Sequence, residues 1–291
     1  MGQPALRTPA GPHIPSRDGG PYDHGTMHDF TVMGVVNVTP DSFSDGGRWL
    51  DTAAAIEHGR VLSAEGAGIL DVGGESTRPG ARPVDAEEER RRVLPVVEQL
   101  AVDGHTVSID TSKLAVARDA VAGGARYVND VTAFRQDPGM AALVAETGCE
   151  CCLTHMLGEP RTMQEHPRYD DVVDDVKAFL AERAAFAVAE GVAPERVQID
   201  PGIGFGKTLE HNLTLLRRLD ELLPLGFPVV LGTSRKSFLG RLTGRPVDER
   251  VPATIATQVL GLQRGASVFR VHDVAPVVQA LTVAAATLAA P

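Results

Sequence analysis

The chain has 291 residues, 43% of them hydrophobic, and a formal net charge of −10. That length and apolar content suit one large α/β barrel core, while the acidic balance excludes general nucleic-acid binding, which needs a basic surface against phosphates. No apolar run approaches the length of a membrane span, and one small anion held by a local basic cluster stays open.

Residues 1–28 are rich in Pro, Gly, His and Arg and lack the apolar segment of a signal peptide. They read as a disordered tail before a single domain at 29–291, and Met27 offers an alternative start. Val32 to Val38 is a short apolar run that reads as a buried strand. Asn37 stands at its end, and a polar loop follows, with Pro40, Asp41, Ser42, Asp45, Gly46 and Gly47.

Thr52 to Glu65 has helical spacing, Ile69 to Val72 reads as a strand, and G-G-E-S-T-R-P-G (73–80) is a second glycine-rich loop. Asp85 caps a charged helix to about Leu100. Thr106 to Ile109 is a third strand closed by Asp110, and a helix runs from about Ser112 to Ala122. The fourth strand, Arg126 to Val128, is closed by Asn129, and Pro138 opens a helix. The fifth, Glu150 to Thr154, is closed by His155. A helix at Asp171 to Glu190 precedes the sixth strand, Arg196 to Ile199, closed by Asp200. Glu210 to Leu223 reads as one helix, and Phe227 to Leu231 as the seventh strand, leading to Ser234, Arg235 and Lys236. A helix at about Pro252 to Gln263, a strand at Ser267 to Phe269 closed by Arg270 and His272, and a helix from Val274 complete the chain.

Eight short strands alternating with helices predict an α/β fold, a (β/α)8 TIM barrel. An open doubly wound sheet is the alternative, although it usually carries a dinucleotide fingerprint. The three cysteines, Cys149, Cys151 and Cys152, match no zinc spacing and read as buried thiols in a reducing cytoplasm.

In such a barrel the C-terminal strand ends converge on one cleft. Here they carry Asn37, Asp71, Asp110, Asn129, His155, Asp200, Lys236, Arg270 and His272. A carboxylate and an amide suit a flat heterocycle with an amidine-like N–H edge. An ammonium serves a ring carbonyl, and a guanidinium stacks on the ring face. Arg78, His272 and Asn37 lie further out and suit a phosphate chain, and the Asn37 oxygen is an acceptable Mg²⁺ ligand. P-G-I-G-F-G-K-T (201–208) imitates a phosphate loop but has Pro201 where the first glycine is required.

Several blocks together resemble dihydropteroate synthases: N-V-T-P-D-S-F-S-D-G-G (37–47), D-V-G-G-E-S-T-R-P-G (71–80), S-I-D-T (108–111), N-D-V (129–131), D-P-G-I-G-F-G-K-T (200–208), S-R-K-S-F-L-G (234–240) and R-V-H-D-V (270–274). The resemblance implies a cytoplasmic transferase of folate biosynthesis. It would join 6-hydroxymethyl-7,8-dihydropterin pyrophosphate to 4-aminobenzoate with Mg²⁺ assisting, and sulfonamides would compete with the amine. It further implies that Asp110, Asn129, Asp200 and Lys236 hold the pterin, with Arg270 over its face. Asn37, Arg78 and His272 would hold the pyrophosphate, with the metal near Asn37. Thr77, Pro79, Phe43 and Ser237 would border the aminobenzoate, and Phe205 would line the substrate pocket. Asp45, Arg78 and Lys236 would act in catalysis.

Two positions depart from that family's pattern: Thr154 stands where Met is usual before His155, and Ala133 with Phe134 where a Gly pair is usual. A pterin-dependent methyltransferase and a non-catalytic pterin-binding paralogue remain alternatives. No charged residue occurs at 251–263 or 274–291, so the last two helices predict a weakly polar patch and a homodimer through it. Val277, Leu281, Ala284 and Leu288 are the expected core stripe of the last helix.

Overall fold

The computed structural model describes residues 30–38, 48–76, 83–159 and 162–291, with side chains from 52 onward in the second stretch. The expected tail, Phe43 and Asp45 of the first loop, and Thr77, Arg78 and Pro79 of the second lie outside the described residues.

The apolar runs become eight parallel strands: β1 (Thr31–Asn37), β2 (Ile69–Gly73), β3 (Val107–Asp110), β4 (Tyr127–Asp130), β5 (Glu150–Thr154), β6 (Val197–Asp200), β7 (Val229–Leu231) and β8 (Ala266–Val271). They pair in chain order, and β8 returns to β1 with Thr31 opposite Val268. The sheet therefore closes into the expected barrel. Helices α1 (Arg48–Ala64), α2 (Ala86–Val102), α3 (Leu114–Ala122), α4 (Gly139–Thr147), α5 (Val172–Ala189), α6 (Leu209–Arg217), α7 (Ser237–Thr243) and α8 (Val251–Gln263) connect the strands, and α9 (Val274–Leu288) follows the last of them.

Side chains alternate across each strand, which sorts the core into two parts. Val36, Val72, Ile109, Leu153, Ile199 and Phe269 face outward and pack with helix residues such as Leu62, Val97, Leu180 and Leu281. Met33, Ile69, Tyr127, Cys152, Val230 and Val268 form a separate cluster inside the barrel. Burying one such side chain contributes about 1.5–3 kcal/mol, so these layers carry most of the fold. Cys149, Cys151 and Cys152 are free and buried. Burial pushes the thiols of Cys151 and Cys152 well above their usual range, which suits packing rather than reactivity.

Local signals set the helix starts. Asp85 accepts the Glu88 N–H at 2.8 Å, Asp171 caps α5 through Val173 and Asp174, and Thr208 with His211 forms a capping box on α6. Two expectations need correcting. The single helix expected at 210–223 is α6, which ends at Arg217, followed by a 3₁₀ turn, Leu219–Leu225, where Pro224 has no N–H to donate back to residue 220 and so keeps this second piece from forming an α-helical ladder. The segment between β7 and β8 holds two helices, α7 and α8, since Gly244 in the left-handed region ends the first.

The departure at Ala133 and Phe134 has a conformational counterpart. Both are left-handed, with φ of 51° and 61°, and both are fully buried. Asp130 holds this turn by accepting from the N–H groups of Thr132 at 2.7 Å and Phe134 at 3.0 Å, while Arg183 donates to the Ala133 carbonyl at 2.8 Å. A side chain in that region costs roughly 1–2 kcal/mol, and here burial of the Phe134 ring offsets it. Thr154, the other departure, is buried at the end of β5.

Candidate active site

The barrel interior turns to charged or amide groups within two residues on most strands. Ile69 is followed by Asp71, Tyr127 by Asn129 and Val268 by Arg270, while on β3 and β6 the inner residues Ser108 and Gln198 are already polar below Asp110 and Asp200. Period-two alternation puts each polar group directly above the inner layer, at the C-terminal mouth.

The centre of the site is Asp71. Its expected position was a strand end; it instead lies in mid-β2 with no solvent exposure. One oxygen accepts from Ser108 Oγ at 2.6 Å. The other accepts from Asn129 Nδ2 at 3.0 Å and from Arg270 Nε at 2.6 Å. Arg270 Nη2 also donates to Asp110 at 2.6 Å. A buried carboxylate survives only with such partners, and here they lock the guanidinium, the amide and a second carboxylate into one rigid set.

Burial pushes the Asp110 carboxyl up to about 7, against the pull of Arg270 and helped by the charge of Asp71. Burial also works against the charge of Arg270, but Asp71 and Asp110 outweigh it and hold the guanidinium protonated.

Asp200 and Lys236 stand across the mouth. Asp200 Oδ1 accepts the Gly202 N–H at 2.6 Å, and Oδ2 takes no hydrogen bond from any described residue. Burial raises the Asp200 carboxyl, opposed by Lys236. Lys236 Nζ donates to the Ile203 carbonyl and lies 4.5 Å from the centre of the Phe205 ring. Burial pushes its ammonium down to about 8, against the pull of Asp200. Two glycines permit this approach: a Cβ on Gly202 would collide with the His155 carbonyl, and one on Gly204 would sit 3.1 Å from Lys236 Cδ.

The false phosphate loop resolves here. Lys207 is turned under the loop and buried, with Nζ 2.8 Å from His155 Nδ1 and donating to the Phe205 carbonyl at 3.1 Å. Burial and the neighbouring ammonium push His155 down to about 2, so the ring is neutral. His155 thus braces the loop from behind and does not face the cleft.

Lys236 is aimed by its own neighbours. Arg235 is left-handed, with φ 58°, and its guanidinium bonds both Asp273 oxygens, at 2.9 and 2.5 Å. Ser234 Oγ accepts the His272 N–H at 3.1 Å and lies 3.0 Å from His272 Nδ1, which ties the expected pyrophosphate residue to the β7 loop. Asn37, half-buried, ends β1 opposite Gly73, and Ser237 is exposed at the start of α7.

The profile of pterin-binding enzymes matches residues 33–272. The dihydropteroate synthase of Mycobacterium leprae is 51% identical over 264 residues, 88% of this chain and 93% of the relative. The chain belongs to the pterin-binding enzyme family.

Among solved structures, the Xanthomonas albilineans dihydropteroate synthase with 4-aminobenzoic acid superposes with a TM-score of 0.85 at 49% identity, over 90% of this chain and 94% of that one. The Yersinia pestis dihydropteroate synthase solved with a sulfonamide drug has a TM-score of 0.85 at 43% identity, over 90% and 95%. Within the family the chain is a transferase of folate biosynthesis, a dihydropteroate synthase, which decides among the readings the sequence left open. The barrel brings Asp110, Asn129, Asp200, Lys236, Arg270 and Phe205 around one mouth, with Asn37, His272 and Ser237 at the ends of their strands and helix. Sequence reasoning assigned no role to Asp71, Ser108, Ser234 or Lys207. The one available signal was an aspartate in the middle of an apolar strand, I-L-D-V-G, where a buried charge demands a cation.

Proposed function

We propose that the chain joins 6-hydroxymethyl-7,8-dihydropterin pyrophosphate to 4-aminobenzoate, releasing 7,8-dihydropteroate and pyrophosphate. The observation that carries the reading is the buried set of Asp71, Asp110, Asn129, Asp200, Lys236 and Arg270. Asp200 offers a carboxylate oxygen with no donor among the described residues, suited to the amino and ring N–H edge of the pterin. Asn129 and Asp110 meet the other edge, Lys236 serves a ring acceptor, and the guanidinium of Arg270, held in place by two carboxylates, covers the face. The set is preorganised, so binding costs little reordering.

No protein nucleophile is needed. The electron-rich dihydropterin shares the positive charge that develops on its methylene as pyrophosphate departs, and the protein positions the amine for attack. His272, Arg78 and Asn37 receive the pyrophosphate, and Asp45 stabilises the methylene. Thr77, Pro79, Phe43 and Ser237 border the amine. Among the described residues no group of three His, Cys, Asp or Glu could hold a metal such as Mg²⁺. The single Asn37 amide fits an ion carried in by the pyrophosphate, since Mg²⁺ keeps waters and phosphate oxygens as most of its ligands. When bound, it would neutralise the leaving group. Pyrophosphate release measured with and without 4-aminobenzoate tests the reading, and release independent of the amine would contradict it.

The titrations give a pH profile. Asp110 accepts from the substrate only when ionised, so kcat/KM for the pterin substrate rises with pH through about 7. Lys236 donates only when protonated, so it falls above about 8. Arg270 lowers both groups, so Arg270→Gln should move both limbs upward. A profile without an alkaline limb would remove Lys236 from the pocket.

The homodimer is supported by the face of α8 and α9. The observed core stripe of α9 is Val274, Val277, Leu281 and Ala285; the expected Ala284 is only partly buried and Leu288 is exposed. The stripe is offset because the 3.6-residue period carries it past Ala284, and Leu288 falls on the helix's last turn. A groove of roughly 700 Å³ between the helices is lined by Ile255, Val259, Ala280 and Val283, and Val283 is 68% exposed. An uncharged apolar groove of this kind suits a two-fold partner. Val283→Arg should give monomers with unchanged circular dichroism. Wild-type protein that sediments as a monomer at micromolar concentration would end the idea. Among the described residues no helix is long and apolar enough to cross a membrane.

A further inference from the structure

The false phosphate loop leaves one charge without a use. Lys207 is buried, and both of its hydrogen bonds go to neutral acceptors, His155 Nδ1 and the Phe205 carbonyl. No carboxylate of the described residues bonds it directly. An ammonium buried without any counter-charge gives up its proton.

Asp200 is the carboxylate placed to answer it. Lys207 Nζ lies 3.4 Å from the position that a Cβ on Gly202 would take, behind the turn whose Gly202 N–H donates to Asp200 Oδ1 at 2.6 Å. The two charges support one another. Asp200 opposes the desolvation of Lys207, and Lys207, with Lys236 and Arg270, opposes that of Asp200. The other groups facing the pair are Cys152 and His155 of the β5 side, Tyr169, and His211 of α6. Burial keeps Cys152 and Tyr169 protonated, so Asp200 is the one anion among these groups. In a desolvated interior a charge solvated by neutral acceptors still acts across several ångströms.

The loop does not depend on Lys207 for its shape. Asn212 of α6 accepts the Gly204 N–H at 2.7 Å, and Tyr169 donates to the Gly206 carbonyl at 2.8 Å. What Lys207 adds is charge where it cannot block a ligand. Asp200 Oδ2 takes no hydrogen bond from any described residue, whereas a counter-ion in direct contact would occupy it.

We propose that Lys207 is a positioning residue: from behind the Gly202 turn its ammonium supplies the counter-charge that keeps Asp200 a carboxylate, with Oδ2 open to the ligand. The inference rests on the reading above, in which Asp200 accepts from the pterin edge.

The test is the titration of the Asp200 carboxyl, followed by carboxyl NMR in ligand-free, aspartate-labelled protein and assigned through Asp200→Asn. Lys207 lowers that carboxyl, so Lys207→Met, which keeps the apolar stem, should move its midpoint up by about one pH unit or more. Lys207→Gln keeps a donor for the Phe205 carbonyl but no charge, and should move it likewise. Calorimetry with the pterin substrate gives a second readout. The loss of affinity relative to wild type should be roughly fivefold or more greater at about pH 6 than at about pH 7.5, because raising the pH ionises Asp200 again. A merely distorted pocket would lose affinity equally at both, and the titration of Asp110 is common to all the proteins. The chain has four lysines, Lys113, Lys177, Lys207 and Lys236. Nitrogen NMR of the wild type therefore shows whether Lys207 is an ammonium at neutral pH, whatever the variants do to folding. An unchanged Asp200 midpoint in Lys207→Met, a wild-type midpoint in Lys207→Gln, or a neutral Lys207 amine overturns the proposal. The carboxyl titration uses no substrate, so its outcome is separate from that of the synthase reading, which pyrophosphate release tests.

Discussion

Alanine at Lys236 or at Asp200 is expected to abolish turnover and to weaken pterin binding by about 2–5 kcal/mol. The two groups are interdependent. Asp200 is buried, its carboxyl already raised by that burial, and Lys236 is the charge that most strongly pulls it back. Without the ammonium the carboxyl moves further up, takes a proton and stops accepting from the ring edge. Without the carboxylate, Lys236 loses the one charge that opposes its own desolvation, and its ammonium falls below about 8. Each substitution thus removes two contacts with the heterocycle. Lys236→Arg should not rescue, because Gly204 and the Phe205 ring leave a channel for a narrow alkyl chain and a point charge, while a guanidinium is broad and flat. Calorimetry with 6-hydroxymethyl-7,8-dihydropterin pyrophosphate is the check. Unchanged affinity in both alanine variants would take these residues out of the pocket.

Asp71→Ala should cost about 3–5 kcal/mol of stability, the penalty of stranding a buried cation. Arg270 would keep only Asp110, and Ser108 and Asn129 would lose their acceptor. Asp71→Asn should be nearly as damaging. Three donors converge on this carboxylate, and an amide offers one acceptor oxygen and turns an NH₂ group toward the remaining donors. The coupling is testable by urea unfolding. Asp71→Ala combined with Arg270→Leu should lose less than the sum of the single changes, since no cation is then left buried without its main partner. A single Asp71→Ala variant within about 1 kcal/mol of wild type would sink the account, being a surface-like cost. Asp71 touches no substrate on this reading, so its effect on pterin affinity should come through the loosened Arg270 and Asn129.

Much of this protein was legible in its sequence for a simple reason. A strand repeats every two residues, and a short apolar run ending in a polar residue announces both a buried strand and a group at its mouth. That logic reaches Asp110, Asn129, Asp200, Arg270 and the closed barrel from the sequence alone. It also found the uncharged face of the last two helices, though its stripe placed Ala284 and Leu288 inward, where the structure has Ala285 buried and Leu288 exposed.

What the chain alone did not decide depends on which strands become neighbours and at what offset. Asp71 reads as one more strand-end aspartate until closure brings Ser108, Asn129 and Arg270 onto it from three other strands, the last 199 residues away. Lys207 belongs by sequence to a loop that imitates phosphate binding, and only the packing against His155 shows it turned away from the mouth. The left-handed turn at Ala133 and Phe134 could not be read locally, because neither residue favours it. It exists because Asp130 and Arg183 hold its backbone and the core takes the ring. Local chemistry therefore determined the strands, the caps and the polar ends. Long-range closure of the barrel determined which buried charge answers which, since pairing energies in a desolvated interior depend on separations that no local pattern encodes.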